Sequence, residues 1–186
     1  MSPSKVIAIV GGIGSGKSTV REILSEWGYP VLDCDEIARE AAEMPDVLAK
    51  IAKEFGEKFV AGGRLDRRRL AEHVFSGQEK TDRLNEIFHA EILRILKERL
   101  KKFDSTVFVE VSVAAALPKG LADEIWEIAA DDDVRLKRVM FRDNIRIEQI
   151  KDVMSRQKNT LRPDVVIDNN GYIDELKEKL KALLDK

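Results

Sequence analysis

The stretch VGGIGSGKST, Val10 to Thr19, crowds four glycines and a run of hydroxyl residues around one lysine. Inside it, Gly11, four further residues and then Gly16-Lys17-Ser18 fit the pattern G-x-x-x-x-G-K-[ST]. The context fits too: the apolar run Val6 to Val10 reads as a buried strand, and Lys17 to Trp27 reads as a helix stopped by Gly28. Glycines let a chain turn tightly enough for successive backbone N–H groups to face phosphate oxygens, and the helix start adds its positive dipole end. The expected ligand is therefore a nucleoside triphosphate, cradled by Gly12, Ile13, Gly14, Ser15, Gly16, Lys17, Ser18 and Thr19. Lys17 is expected to reach the β- and γ-phosphates, and the Ser18 hydroxyl to ligate Mg²⁺.

Outward from that loop, short apolar runs alternate with longer helical patterns, as in repeated βα units on a parallel sheet. Further strands are expected at Tyr29 to Leu32, Val107 to Val111, Ile125 to Ala129 and Val165 to Ile167. Helices are expected over Ile37 to Phe55, Leu65 to Phe75, the amphipathic stretch Leu84 to Phe103, and Ile173 to Leu184. The long helical stretch between the second and third strands reads as an insertion, about 37 to 103, in a single domain of 186 residues. Lys and Arg total 32 against 34 Asp and Glu, a net charge of −2, which speaks against broad nucleic-acid binding. No apolar run approaches the roughly 20 residues of a membrane helix, and Lys5 to Val10 is too short for a signal peptide. The lone Cys34 can form neither an internal disulfide nor a metal cluster. A cytoplasmic protein with no membrane or nucleic-acid partner, monomeric or a small homo-oligomer, is expected.

The rest of the chain supplies chemistry to this place. In LDCDEIARE, Leu32 to Glu40, Asp33 and Asp35 follow the second strand, where one can take a proton from a hydroxyl and the other hold magnesium-bound water. Helix capping is the other use for either aspartate. Arg138 and Arg142, four apart, share one helical face and can converge on one set of phosphates, unless they pair with Asp131 to Asp133 and Asp143. Arg64, Arg67, Arg68 and Arg69 form the densest basic cluster, suited to a phosphate-rich acceptor or to a solvated face paired with Glu57 and Glu72. His89 is either a substrate contact or a core histidine, and Trp27 and Trp126 read as packing. Asn169 and Gly171, past the last strand, are positioned to shape an adenine pocket. Glu110 is either a magnesium-side carboxylate or a solvated strand-end group. The motifs speak against a GTPase switch: there is no N-K-x-D, and D-x-x-G occurs only at Asp168 to Gly171.

Taken in order, these segments resemble the dephospho-CoA kinase family. GGIGSGKST and the D-x-D-x-I-A-R of Asp33 to Arg39 are similar to its first signatures, with Cys34 where alanine is usual. GRLDRRRLAEHVF (63 to 75), LNEIFHAEI (84 to 92, Ala90 replacing proline), RLKRVMFRDN (135 to 144) with Gln157, and DVVIDNNG (164 to 171, after Pro163 in place of alanine) continue the likeness. Val109 to Gly120 departs from it, lacking the family's proline-leucine-leucine core in the loop that faces the acceptor. The resemblance implies a P-loop NTPase α/β fold of three αβα layers: a central five-stranded parallel sheet, a helical acceptor-binding insertion, and a lid at about 136 to 160. It implies transfer of the ATP γ-phosphoryl group to the 3′-hydroxyl of dephospho-CoA. Asp35 is then the base, Lys17, Arg138 and Arg142 are catalytic with it, Asp33 is its support, a metal-side group and an acceptor contact, and Arg67 and His89 are the other acceptor contacts. A P-loop kinase of another small alcohol or nucleoside monophosphate, and a noncatalytic nucleotide-binding module, are the alternatives.

Overall fold

The computed structural model describes residues 2–74, 77–112, 120–143, 146–157 and 162–185. Phe75, residues 113–119 of the divergent loop, Asn144 and part of the expected lid segment lie outside them. The chain divides into two compact units, Met1–Asp33 with Lys101–Lys186, and Cys34–Leu100.

The first unit is an α/β unit. Its five strands are β1 (Lys5–Val10), β2 (Val31–Asp33), β5 (Thr106–Glu110), β6 (Glu124–Ala129) and β7 (Val165–Asp168), in the order β2-β5-β1-β6-β7. Every pairing is parallel. Central strand β1 is hydrogen-bonded along both edges, to β5 and β6, and Val6 to Val10 are all buried, so residues pointing to either face of the sheet lie in the interior. That explains its unbroken apolar sequence, where a half-exposed strand would alternate. From β1 the chain moves to one side of the sheet for β2 and later to the other for β6 and β7, so the carboxyl end of β1 is a switch point, the usual crevice for ligands.

Helix α1 (Lys17–Glu26) turns Val20, Ile23 and Leu24 onto the sheet, the i, i+3, i+4 face of an amphipathic helix. It ends where expected: Gly28 takes φ 85° and donates to the Ser25 carbonyl, while Tyr29 N–H reaches back to Leu24, a Schellman closure. Phe108 and Trp126, on β5 and β6, lie 5.5 Å apart between ring centres, and Tyr29 meets Phe108 edge-on at the same distance. Leu176 and Leu180 of α8 (Ile173–Leu184) complete this core. Truncating Phe108 to Ala there costs about 3–5 kcal/mol. Two more helices, α6 (Asp132–Asp143) and α7 (Ile147–Arg156), follow β6.

The second unit is helical, with α2 (Cys34–Ala41), α3 (Pro45–Phe55), α4 (Arg67–Val74) and α5 (Gln78–Leu100), plus the hairpin β3 (Val60–Ala61) and β4 (Arg64–Leu65). The single helix expected over Ile37 to Phe55 is two helices. Pro45 lacks an N–H and clashes with the preceding turn, so it breaks the first helix and opens the second at its first turn. The helix expected from Leu65 starts at Arg67, because Leu65 pairs with Val60 in the hairpin. Gly62 and Gly63 make that hairpin possible at φ 58° and 74°, the conformations of a two-residue primed turn. Asp66 then caps α4, its carboxylate accepting the Arg69 N–H at 3.0 Å. The core of this unit is Val47, Ile51, Phe59, Leu70 and Val74. No helix of the described residues is long and apolar enough to cross a membrane.

Candidate active site

The loop between β1 and α1 is held by side chains of the chain's own elements. Lys17, almost wholly buried, folds back so that its ammonium donates to the Gly11 carbonyl at 2.8 Å and leans toward Gly12 at 3.4 Å. Arg135 of α6 donates from Nε to the Ile13 carbonyl at 3.0 Å. Asn169, also buried, donates from Nδ2 to the Ser15 carbonyl at 2.7 Å, with the Arg138 guanidinium at 3.5 Å from the same oxygen. The loop carbonyls therefore face cations and an amide of the chain, which is how the peptide planes of a phosphate loop become free to present N–H groups to an anion. Gly16, at φ 102°, caps α1 and hands the helix dipole to the same place. Ser18 and Thr19 lie in the first turn of α1, and Ser15 turns its buried hydroxyl in toward Gly11.

The glycines serve packing as much as turning. A Cβ on Gly12 would lie 2.2 Å from the Arg135 guanidinium, and one on Gly14 would lie 2.6 Å from the Arg135 carbonyl. On Gly16 it would meet Asn169 at 2.1 Å, and on Gly11 the Ile128 carbonyl at 2.6 Å. Real Cβ atoms do not approach that closely, so each glycine is a gap into which another part of the unit is fitted.

Beside the loop, Asp33 ends β2 opposite Glu110 of β5 in register. Arg21, one turn into α1, reaches both, at 2.5 Å and 3.2 Å. Two carboxylates on neighbouring strand ends repel, and the guanidinium between them offsets that repulsion. Arg21 escaped the sequence reading, although its place four residues after Lys17 put it on the right helical face. Arg135 escaped as an individual residue for the same reason, standing three before Arg138. Arg142 instead forms a two-point pair with its neighbour Asp143 at 2.6 and 2.5 Å and is largely exposed. That pair raises the Arg142 pKa and holds the Asp143 carboxyl below its ordinary range, through the hydrogen bonds first and charge second. Asp168 is likewise held low by its bond from Lys179, with Asn170 adding to it. At Gly171 a Cβ would run into the Glu175 carboxylate.

In the helical unit, Asp35 lies in the first turn of α2. Arg67 and His89 line one cavity of about 400 Å³, with Arg39, Leu70, Phe88 and Ile92 among its other walls. Arg67 also donates to the Arg39 carbonyl at 3.3 Å. Arg68 pairs with Glu72 at 3.1 Å on a solvated face, a contact of about 0.3–0.5 kcal/mol.

A lysine-bearing glycine loop between the central strand and a helix, with carboxylates at the adjoining strand ends, defines the P-loop kinase class. At the level of fold alone, shikimate kinase from Acinetobacter baumannii superposes with a TM-score of 0.53 at 16% identity, covering 97% of this chain and 93% of its own. A protein of Thermus thermophilus known from its crystal structure superposes with a TM-score of 0.85 at 36% identity, over 100% of this chain and 98% of that one. A family model described as dephospho-CoA kinase matches residues 5–175. The chain is 35% identical to dephospho-CoA kinase of Fusobacterium nucleatum over 97% of both chains. It is 36% identical to that of Thermus thermophilus, over 96% of this chain and 90% of the relative. The chain belongs to the dephospho-CoA kinase family.

Proposed function

We propose that the protein transfers the γ-phosphoryl group of ATP to the ribose 3′-hydroxyl of dephospho-CoA, giving CoA and ADP, in the cytoplasm. The observation that carries this reading is the Lys17 ammonium folded over the Gly11 and Gly12 carbonyls between β1 and α1, in a chain of this family. Lys17 compensates charge on the β- and γ-phosphates, and the backbone from Gly12 to Thr19 cradles them. The new bond joins the acceptor oxygen to the γ-phosphorus, the bond to the β-bridging oxygen breaks, and the hydroxyl proton passes to Asp35. Arg138 and Arg142 stabilise charge on the group in transit, Arg142 after exchanging Asp143 for phosphate. Asn169 and Gly171 border the adenine side. Arg67 and His89 contact the acceptor, whose uncharged parts suit the apolar walls of Leu70, Phe88 and Ile92.

The donors suit Mg²⁺, a hard cation that keeps several waters and takes one or two protein oxygens beside phosphate. Ser18 would hold it directly and Asp33 through water. When bound, the ion neutralises charge on the β- and γ-oxygens.

Mass spectrometry tests the reading directly. Incubated with Mg-ATP, dephospho-CoA gains one phosphate. A chain that releases ADP with nucleoside monophosphates or other alcohols, and leaves dephospho-CoA unchanged, sinks it.

A further inference from the structure

The Ile13 peptide units are gripped from two helices. Gln157, just past α7, accepts the Ile13 N–H on Oε1 at 2.7 Å, while Arg135 of α6 donates to the Ile13 carbonyl at 3.0 Å. The geometry of one peptide plane says which side this grip takes. Gly12 C=O and Ile13 N–H belong to the same trans peptide and point opposite ways. The Gly12 carbonyl is turned to the Ser15 N–H at 3.1 Å and toward the Lys17 ammonium, so the Ile13 N–H points away from the lysine. Gln157 therefore holds the outer edge of the loop and leaves the lysine side open.

Arg135 is the permanent end of this grip. Its side chain is only 16% exposed, a second hydrogen bond runs to Asp132 at 2.9 Å, and it fills the gap that Gly12 leaves. Gln157 is exposed and holds the loop through its side-chain oxygen. We propose that Gln157 is a positioning residue: its carbonyl oxygen registers the end of α7 to the phosphate loop and keeps the peptide between Gly12 and Ile13 from rotating, so that the loop is already ordered when ATP arrives. Without it the loop keeps Arg135, Lys17 and Asn169 but regains freedom at one peptide, and nucleotide binding must supply the ordering.

The proposal rests on the reading that Gly11 to Ser18 holds the phosphates of ATP, and its test needs no acceptor. Amide hydrogen exchange at Ile13 and ATP affinity by calorimetry are compared in the parent, Gln157→Ala and Gln157→Glu. Glutamate retains an acceptor oxygen at the same reach; alanine has none. In Gln157→Ala, exchange at Ile13 speeds up and the Kd for ATP rises about two- to tenfold, the scale of one neutral hydrogen bond. Gln157→Glu stays near the parent in exchange, and circular dichroism gives all three the same melting temperature. Two results overturn the proposal: an alanine variant with parent exchange and parent ATP affinity, or a glutamate variant as impaired in Ile13 protection as alanine. If the parent binds no ATP, the phosphate-loop reading fails instead, and the exchange measurement still reports whether Gln157 holds the peptide.

Discussion

The glycine loop and the cavity of the helical unit, the two proposed binding regions, are built in opposite ways. In the loop the backbone is the binding surface, and side chains from α1, α6 and the end of β7 serve to fix it: Lys17 on Gly11, Arg135 on Ile13, Asn169 on Ser15. In the cavity side chains form the surface, with Leu70, Phe88 and Ile92 among the apolar walls and Arg39, Arg67 and His89 among the polar groups. A backbone cradle is indifferent to side-chain identity except where a side chain would intrude, so its signature is glycine at set intervals. An apolar cavity uses the residue types of any core, so it has no signature beyond amphipathic helices. On the proposed reading, the first arrangement is general to phosphates and the second selects the acceptor.

The sharpest way to break this contrast is to remove Lys17, the loop side chain proposed to compensate the phosphates. Lys17→Ala should lower turnover about 10³-fold, the scale of a lost preorganised charge, and leave the circular dichroism spectrum unchanged. Parent-like turnover would mean the backbone alone suffices. Next in size is Asp35→Asn, which keeps shape and removes the proposed proton acceptor. Turnover should fall about 10²-fold while ATP affinity by calorimetry is retained. A parent rate in that variant assigns the proton to another group.

Asn169→Ala tests whether the loop depends on its supports. It leaves the buried Ser15 carbonyl without its closest donor, so stability to urea should fall by about 1–3 kcal/mol and the KM for ATP should rise. The cavity calls for the converse experiment. Ala71→Leu fills space among its walls, so the KM for dephospho-CoA should rise about tenfold with the Kd for ATP unchanged. An equal loss for both ligands would erase the distinction between the two regions.

The smallest effect belongs to His73 of α4, whose ring stacks on Phe59 at 5.0 Å. Burial first, and the cations Lys80 and Lys58 next, lower its pKa from 6.5. The unfolded chain then binds the proton more readily than the folded one, so this contribution to stability is complete above about pH 6.5 and declines as pH falls through the lower folded value. Thermal melts between pH 5 and 7.5 should show that slope in the parent and a flatter one in His73→Phe.

Several features were legible without coordinates because they depend on neighbours along the chain. The loop pattern lies between an apolar run and an amphipathic helix, and the five strands occur at the expected segments, shifted by a residue or two at their ends. Gly28 stops α1 by taking a positive φ, a local property of glycine. Two equally local signals went unread: Pro45, which divides the Ile37 to Phe55 stretch, and the Gly62-Gly63 pair, which turns the hairpin before α4.

Only tertiary structure could decide what faces the loop. That Gly12 makes room for Arg135, 123 positions later, and Gly16 for Asn169, 153 positions later, follows from the order β2-β5-β1-β6-β7, which puts β6 next to β1 and β7 next to β6. The same sheet puts Asp33 opposite Glu110 with Arg21 between them. The sequence by itself determined the phosphate loop, because backbone conformation is set by which residues lack a Cβ. It could not determine the partners of that backbone: hydrogen bonds between residues more than a hundred positions apart leave no periodicity in the chain, and depend on strand order and register alone.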